Sequence, residues 1–265
     1  MAVGVLVLAS AGVLFPLYWI AQTSLKPPVE QLAIPPIWVP RGPTLANYAA
    51  LLGQPALAGT ILNSLWVTLA STGCALVLGA PAAYVLARYR IGGRALPFGI
   101  LMVRMVPPVA LVLPFFLLAK LLGVLDSYLA IVTTYVFFTL PVVIWMMLGF
   151  FAELPLELEE AALVDGCSRP RAFLRVVLPL AAPGLAATAI LAALLVWNEF
   201  LFGLTLTRAR TRTLPVLVNL FVTQRTVDYG LMCATGVLMA TPMVAFGLLV
   251  QRHLVRGLTA GAVKG

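Results

Sequence analysis

At 265 residues, 62% of them hydrophobic and only 10% charged, the chain departs from a water-soluble domain, which averages roughly half apolar and about a quarter charged. Its mean hydropathy of +1.05 calls for lipid as the solvent. The net charge of +8 then belongs to membrane-flanking loops rather than to nucleic acid, because no aromatic-basic platform accompanies it. Three scattered cysteines and a single histidine, His253, exclude a disulfide framework and a histidine-based metal site or triad.

Six apolar runs follow in chain order, at about 2–21, 60–87, 95–122, 128–151, 183–206 and 230–250. Each is long enough to cross a hydrocarbon core of about 30 Å. They predict an all-α polytopic membrane protein with six transmembrane helices, a single transmembrane domain over 1–265. The first run lacks a basic leader and a small-residue cleavage site, so it reads as a helix that stays in the membrane. The stretch 22–59 carries Lys26-Pro27-Pro28, Pro35-Pro36 and Pro40-Arg41-Gly42-Pro43, which predicts extended or turn-rich chain.

Prolines 81, 97, 107, 108, 114, 141 and 242 lie inside the apolar runs. Each removes a backbone donor and bends its helix. Two readings stand: bent helices that simply pack, or a moving bundle around a central pathway. Arg104 beside Pro107-Pro108 favours the second, because an arginine within a span is costly in lipid. It can also reach the surface by snorkelling.

With six spans, three loops fall on one side. They hold Arg88, Arg90 and Arg94; Arg169, Arg171 and Arg175; and Arg252, Arg256 and Lys264. The other side holds Lys26, Arg41, Arg208, Arg210, Arg212 and Arg225. The excess places both termini in the cytoplasm.

Loop 153–182 is the most informative segment. Glu157, Glu159 and Glu160 sit where a helix amino end favours acids. Gly166 stands where a helix stops on a left-handed residue. Ser168 is placed to cap a second helix with Pro170 in its first turn. The segment therefore predicts two short helices around a sharp turn, with Ala161, Leu163 and Val164 as an apolar tip.

Glu160-Ala161-Ala162, then Gly166, then Val176-Val177-Leu178-Pro179 resembles the EAA motif of binding-protein-dependent ABC importer permeases, with Val176 in place of isoleucine. The tail from Arg256 to Gly265, together with Trp197-Asn198-Glu199-Phe200, Met105-Val106-Pro107-Pro108 and Asn63-Ser64, is similar to carbohydrate-importer permeases related to the smaller maltose-permease subunit. The likeness covers nearly the whole chain and departs from it at the amino terminus, where the usual basic residues are absent.

The resemblance implies a type I ABC importer permease fold in a bacterial or archaeal cell membrane. It also implies a second homologous permease, two ATP-binding-cassette ATPases and an extracytoplasmic sugar-binding protein as partners. Loop 153–182 would dock on an ATPase through Glu160, Ala161, Ala162, Asp165, Gly166, Leu178 and Pro179. Tail 251–265 would reach the ATPase interface through Gly257, Leu258, Thr259 and Gly261, and outer loop 207–229 would face the binding protein.

Asn63, Asn198, Glu199 and Asn219 are candidates to line the pathway or touch the solute, although each amide can equally bond a neighbouring helix. Glu199, read as lying near the outer third of the fifth helix, has no second buried acid or histidine for a proton relay. The tryptophans suit membrane interfaces better than ligand contact. No phosphate-binding Gly-x-x-x-x-Gly-Lys-Ser/Thr loop occurs. ATP and magnesium are therefore expected on partner subunits, with no catalytic residue, metal or cofactor on this chain. The rival readings are an ABC permease for a non-sugar solute and a secondary transporter.

Overall fold

A computed structural model describes residues 2–93, 95–222 and 227–262. Among them the chain is helical, and the only strand-like feature is an isolated bridge between Val222 and Val227. Three helices are each long and apolar enough to cross a membrane: α1 (Ala2–Ser24), α4 (Leu57–Tyr89) and α7 (Tyr128–Glu153). Between α1 and α4 lie α2 (Pro28–Gln31) and α3 (Ala46–Leu52).

Two runs expected to be single helices are broken. The run 95–122 is α5 (Ala95–Met102), a 3-10 turn over Val103–Met105 and α6 (Pro108–Leu121), and its two halves meet at 85°. Pro107 and Pro108 cause this break, since neither offers an N–H and each holds the preceding residue out of the helical region.

The run 183–206 is α11 (Ala182–Trp197) and α12 (Leu201–Leu206), separated at Asn198–Phe200. Before α11, loop 153–182 holds α8 (Glu157–Val164), α9 (Arg169–Ala172), a π turn over Phe173–Val177 and α10 (Leu178–Leu180), and it meets α11 at a 78° bend. Counted as one span each, the two bent pairs bring the candidate crossings to five among the described residues. Residues 214–218 form α13, and the sixth apolar run lies within α14 (Tyr229–Ala262).

The chain divides into two compact units, Met1–Asn63 with Arg212–Phe246, and Ser64–Thr211 with Gly247–Gly265. In the first, the proline-rich segment folds back on the end of α1. Lys26, 1% exposed, donates to the Ile37 carbonyl at 2.5 Å and lies 4.7 Å from the Trp19 ring. Asn47 donates to the carbonyls of Ser24 and Lys26 at 2.8 and 2.9 Å. Trp19 and Trp38 pack edge to face at 5.6 Å, so these two tryptophans serve each other.

The second unit holds two apolar clusters. One gathers Tyr84 of α4, Met147 and Phe151 of α7, and Phe173 and Val177 of the π turn. The other gathers Tyr135 and Phe138 of α7 with Phe202 and Leu206 of α12. Gly184 lets α11 approach α7: a Cβ there would stand 2.3 Å from the Phe150 ring.

Candidate functional site

The loop between α7 and α11 forms a two-helix hairpin. Three acids open α8, where the exposed N–H groups of a first turn favour negative charge. The helix ends in a Schellman turn: Cys167 N donates to Ala162 O at 3.0 Å, and Gly166 N to Leu163 O at 3.1 Å. Gly166 carries the required left-handed backbone, φ +83°. Ser168 occupies the amino end of α9, but its hydroxyl makes no capping bond there; its carbonyl receives Ala172 N at 2.8 Å instead. Pro170 sits in the first turn of α9.

α8 has two faces. Glu159 and Ala162, three residues apart, turn inward and are buried, while Leu158, Glu160, Ala161 and Asp165 are exposed and Val164 is 87% exposed. Gly166 and Pro179 are exposed and Leu178 is half-buried.

A buried ionic anchor fixes the inner face. Glu159 Oε2 lies 3.0 Å from Arg88 Nε, with the two side chains 7% and 10% exposed. Tyr84 donates its hydroxyl to Glu159 Oε1, and Arg88 Nη1 donates to the Leu154 carbonyl at 3.1 Å. The Tyr84 ring packs on Phe151 and Phe173 at 5.9 and 4.8 Å, which shields the pair from water. A second tie joins α9 to α4, where Arg169 donates to the Tyr89 hydroxyl.

Sequence reasoning gave Glu159 only a helix-dipole role and Arg88 only a charge bias. The available signal was Tyr84 and Arg88 four residues apart, on one helical face.

At the other end of α7 a second carboxylate organises the chain. Asp126, itself at φ +54°, accepts from Arg208 N at 2.8 Å, Arg210 N at 3.1 Å, and Thr211 N and Oγ1 at 3.0 and 2.8 Å. Partial burial works to raise its pKa, but these four donors outweigh it and hold the carboxyl below its ordinary value. Asp126 N also donates to Leu206 O at 2.9 Å. Sequence reasoning placed this residue only in a turn.

The pathway candidates divide between the two units. In the first, Asn63 is buried and donates to Arg212 O at 3.0 Å, and Asn219 is exposed on a 3-10 turn. In the second, Asn198 is exposed and returns its amide to Leu194 O of its own helix at 2.9 Å.

Glu199 does not lie within a helix. It follows the end of α11, and its carboxylate receives Phe202 N and Gly203 N at 3.0 and 3.1 Å, closing the amino end of α12. It lines a cavity of about 170 Å³ with Arg104, Tyr135, Phe138, Thr139 and Phe202. Arg104 donates to the Phe138 carbonyl at 3.0 Å, one residue beyond the carbonyl that Pro141 leaves without its helical donor.

Of the tail candidates, Gly257, Leu258, Thr259 and Gly261 fall on the α14 backbone, while Val263, Lys264 and Gly265 lie outside the described residues. In loop 207–229, residues 223–226 also lie outside them, and Leu214, Val216 and Leu217 are buried in α13.

A model of the binding-protein-dependent transport system inner membrane component family matches residues 75–260. The chain is 36% identical to the trehalose transport system permease protein of Mycobacterium tuberculosis, over 95% of this chain and 93% of that protein. It is 37% identical to the sulfoquinovosyl glycerol transport system permease protein of Agrobacterium fabrum, over 95% and 89% of the two chains. In structure it is similar to a chain of a bacterial ABC transporter involved in the import of the acidic polysaccharide alginate, with a TM-score of 0.79 at 23% identity over 95% of this chain and 94% of that one.

Proposed function

The chain belongs to the binding-protein-dependent transport inner membrane component family, and from that premise we propose that it forms, with a second homologous permease, the pathway by which a sugar is imported. It is a multi-pass membrane permease subunit of an ABC transporter, not an enzyme. Sugar as the solute is supported by relatives named for trehalose and sulfoquinovosyl glycerol.

In this reading two ATPase subunits hold ATP and magnesium, an extracytoplasmic binding protein delivers the solute, and both termini face the cytoplasm. Outer loop 207–229 receives the binding protein. Gly257, Leu258, Thr259 and Gly261 approach the ATPases through the tail. Glu199 and Asn198, with Asn63 and Asn219, border the solute's route.

The observation that carries the proposal is the hairpin of loop 153–182. It offers Leu158, Ala161 and Val164 outward for an ATPase groove while Glu159 is locked inward to α4. Glu160, Ala161, Ala162, Asp165, Gly166, Leu178 and Pro179 form or support the docking surface. When the ATPases close on ATP, a displaced hairpin pulls α4 through Arg88 and Tyr84, and pulls α11 through the π turn. The break at Pro107-Pro108 allows the halves of the third span to tilt separately. Alternation between inward-facing and outward-facing states follows from those two properties.

The test is Gly166→Arg in the co-expressed transporter. Arginine there must adopt a left-handed backbone, at about 1–2 kcal/mol, and places a long cation at the docking turn. The expected result is loss of ATPase co-purification, or of binding-protein-stimulated hydrolysis, with the permease still folded in the membrane. Unchanged assembly and stimulation would sink the docking assignment.

A further inference from the structure

A second feature of the same unit lies apart from the hairpin's outer face. α4, α5 and α7 enclose an open groove of about 910 Å³, lined by Leu86, Phe98, Trp145, Leu148 and Ala152 among other small and apolar residues, with Arg90 as the charged one among the described lining residues. Phe98 and Trp145 are 54% and 45% exposed. Leu148 and Ala152 repeat at helical spacing from Trp145, so the apolar floor runs about 10 Å along α7. Arg90 follows the last residue of α4, next to the loop end of α7, so the charge stands at one end of the groove and the apolar surface leads away from it.

Arg88 is committed to Glu159. Among the described residues Arg90 has no acidic partner, and the turn 90–93 contains no acid. An apolar channel opening beside an uncompensated cation at a membrane surface matches an amphiphile with an anionic head and hydrocarbon tails.

We infer that this groove is a binding site for an anionic phospholipid of the leaflet that faces the 153–182 hairpin. The phosphate pairs with Arg90, and an acyl chain lies against Leu86, Leu148 and Trp145. A bound lipid there would wedge against the part of α4 that carries the Arg88–Glu159 anchor, so lipid composition would bear on how firmly the hairpin is held. The inference rests on the groove and its charge, and does not depend on the identity of the solute.

Trp145 supplies the test. The assembled transporter is reconstituted in vesicles containing either brominated phosphatidylglycerol or brominated phosphatidylcholine. The Trp145 signal is taken as the difference between the wild type and Trp145→Phe. The expected result is preferential quenching by the anionic lipid, with a relative affinity of roughly fivefold at low salt, retained in Arg90→Lys and lost in Arg90→Gln. Equal quenching by both lipids would overturn the headgroup assignment. Absence of quenching by either would show the groove to be covered by protein, such as the second permease, and would overturn the site. Neither outcome touches the docking of the hairpin, which the Gly166→Arg experiment reads separately.

Discussion

The two ends of α7 solve one problem in different ways. Helix α7 is 26 residues long, about 39 Å, and a partly or wholly buried carboxylate ties down the chain beyond each end. Beyond its carboxyl end, Glu159 depends on side chains from one distant helix, Arg88 and Tyr84. Before its amino end, Asp126 draws three of its four donors from the Arg208–Thr211 backbone. The difference concerns what can be lost. Amide donors survive every substitution except proline, so most of the bonds in the Asp126 turn depend on one side chain, its own carboxylate. The Glu159 anchor has a charge on each side of a joint, and removing either strands the other in a dry aromatic pocket.

The contrast is sharpest in Arg88→Met, which leaves Glu159 buried and uncompensated. The expected loss is about 3–5 kcal/mol, read as a lower thermal midpoint of the detergent-solubilised transporter. Replacing both partners with methionine is expected to recover much of that loss, because the stranded charge disappears. If the single variant is as stable as the double, the ion pair is not what holds the hairpin.

Next in size is Asp126→Ala. It releases a set of charge-assisted bonds, for about 2 kcal/mol, and its signature is local: faster amide exchange at Arg208, Arg210 and Thr211, with the 153–182 hairpin unchanged. Exchange that rises at both ends together would break the comparison.

A smaller effect is expected from Thr211→Val. It removes one hydroxyl donor and leaves the backbone donors in place, for about 1 kcal/mol.

The last prediction is visible only in acid. The folded Asp126 carboxyl lies below its ordinary value, so its contribution is fully present above the unfolded value, near 3.9. That contribution is lost as pH falls through the lower folded value. The Arg208–Thr211 turn should therefore exchange at a pH-independent intrinsic stability from neutrality down to about pH 4, and loosen below it. Loosening that begins near pH 6 would point to a different group.

Much of this was legible in advance, and the limits have physical causes. The apolar runs and the left-handed stop at Gly166 depend on local composition and backbone sterics, which a sequence displays. The break at Pro107-Pro108 was marked by its prolines, but the size of the bend was not, because neighbouring helices decide it. The interruption at Asn198–Phe200 had no proline or glycine to announce it, and Glu199 could be placed as a helix-closing acceptor only once α12 was known to begin after it. The expected hydroxyl cap from Ser168 did not form. The anchor joins Arg88 to Glu159 across 70 intervening positions, and no periodicity in either segment carries that pairing.

The π turn over Phe173–Val177 adds a consequence of phase. A π turn holds one residue more than the α-helix it interrupts, and each residue of an α-helix advances the azimuth by about 100°. Deleting one residue from this turn is thus expected to leave a continuous, well-bonded helix leading into α10. It would nevertheless rotate everything before it relative to α11 by about a quarter turn. A chain altered in that way would be sound in every local bond and mistimed as a gear, with its teeth facing away from the wheel they were cut to drive.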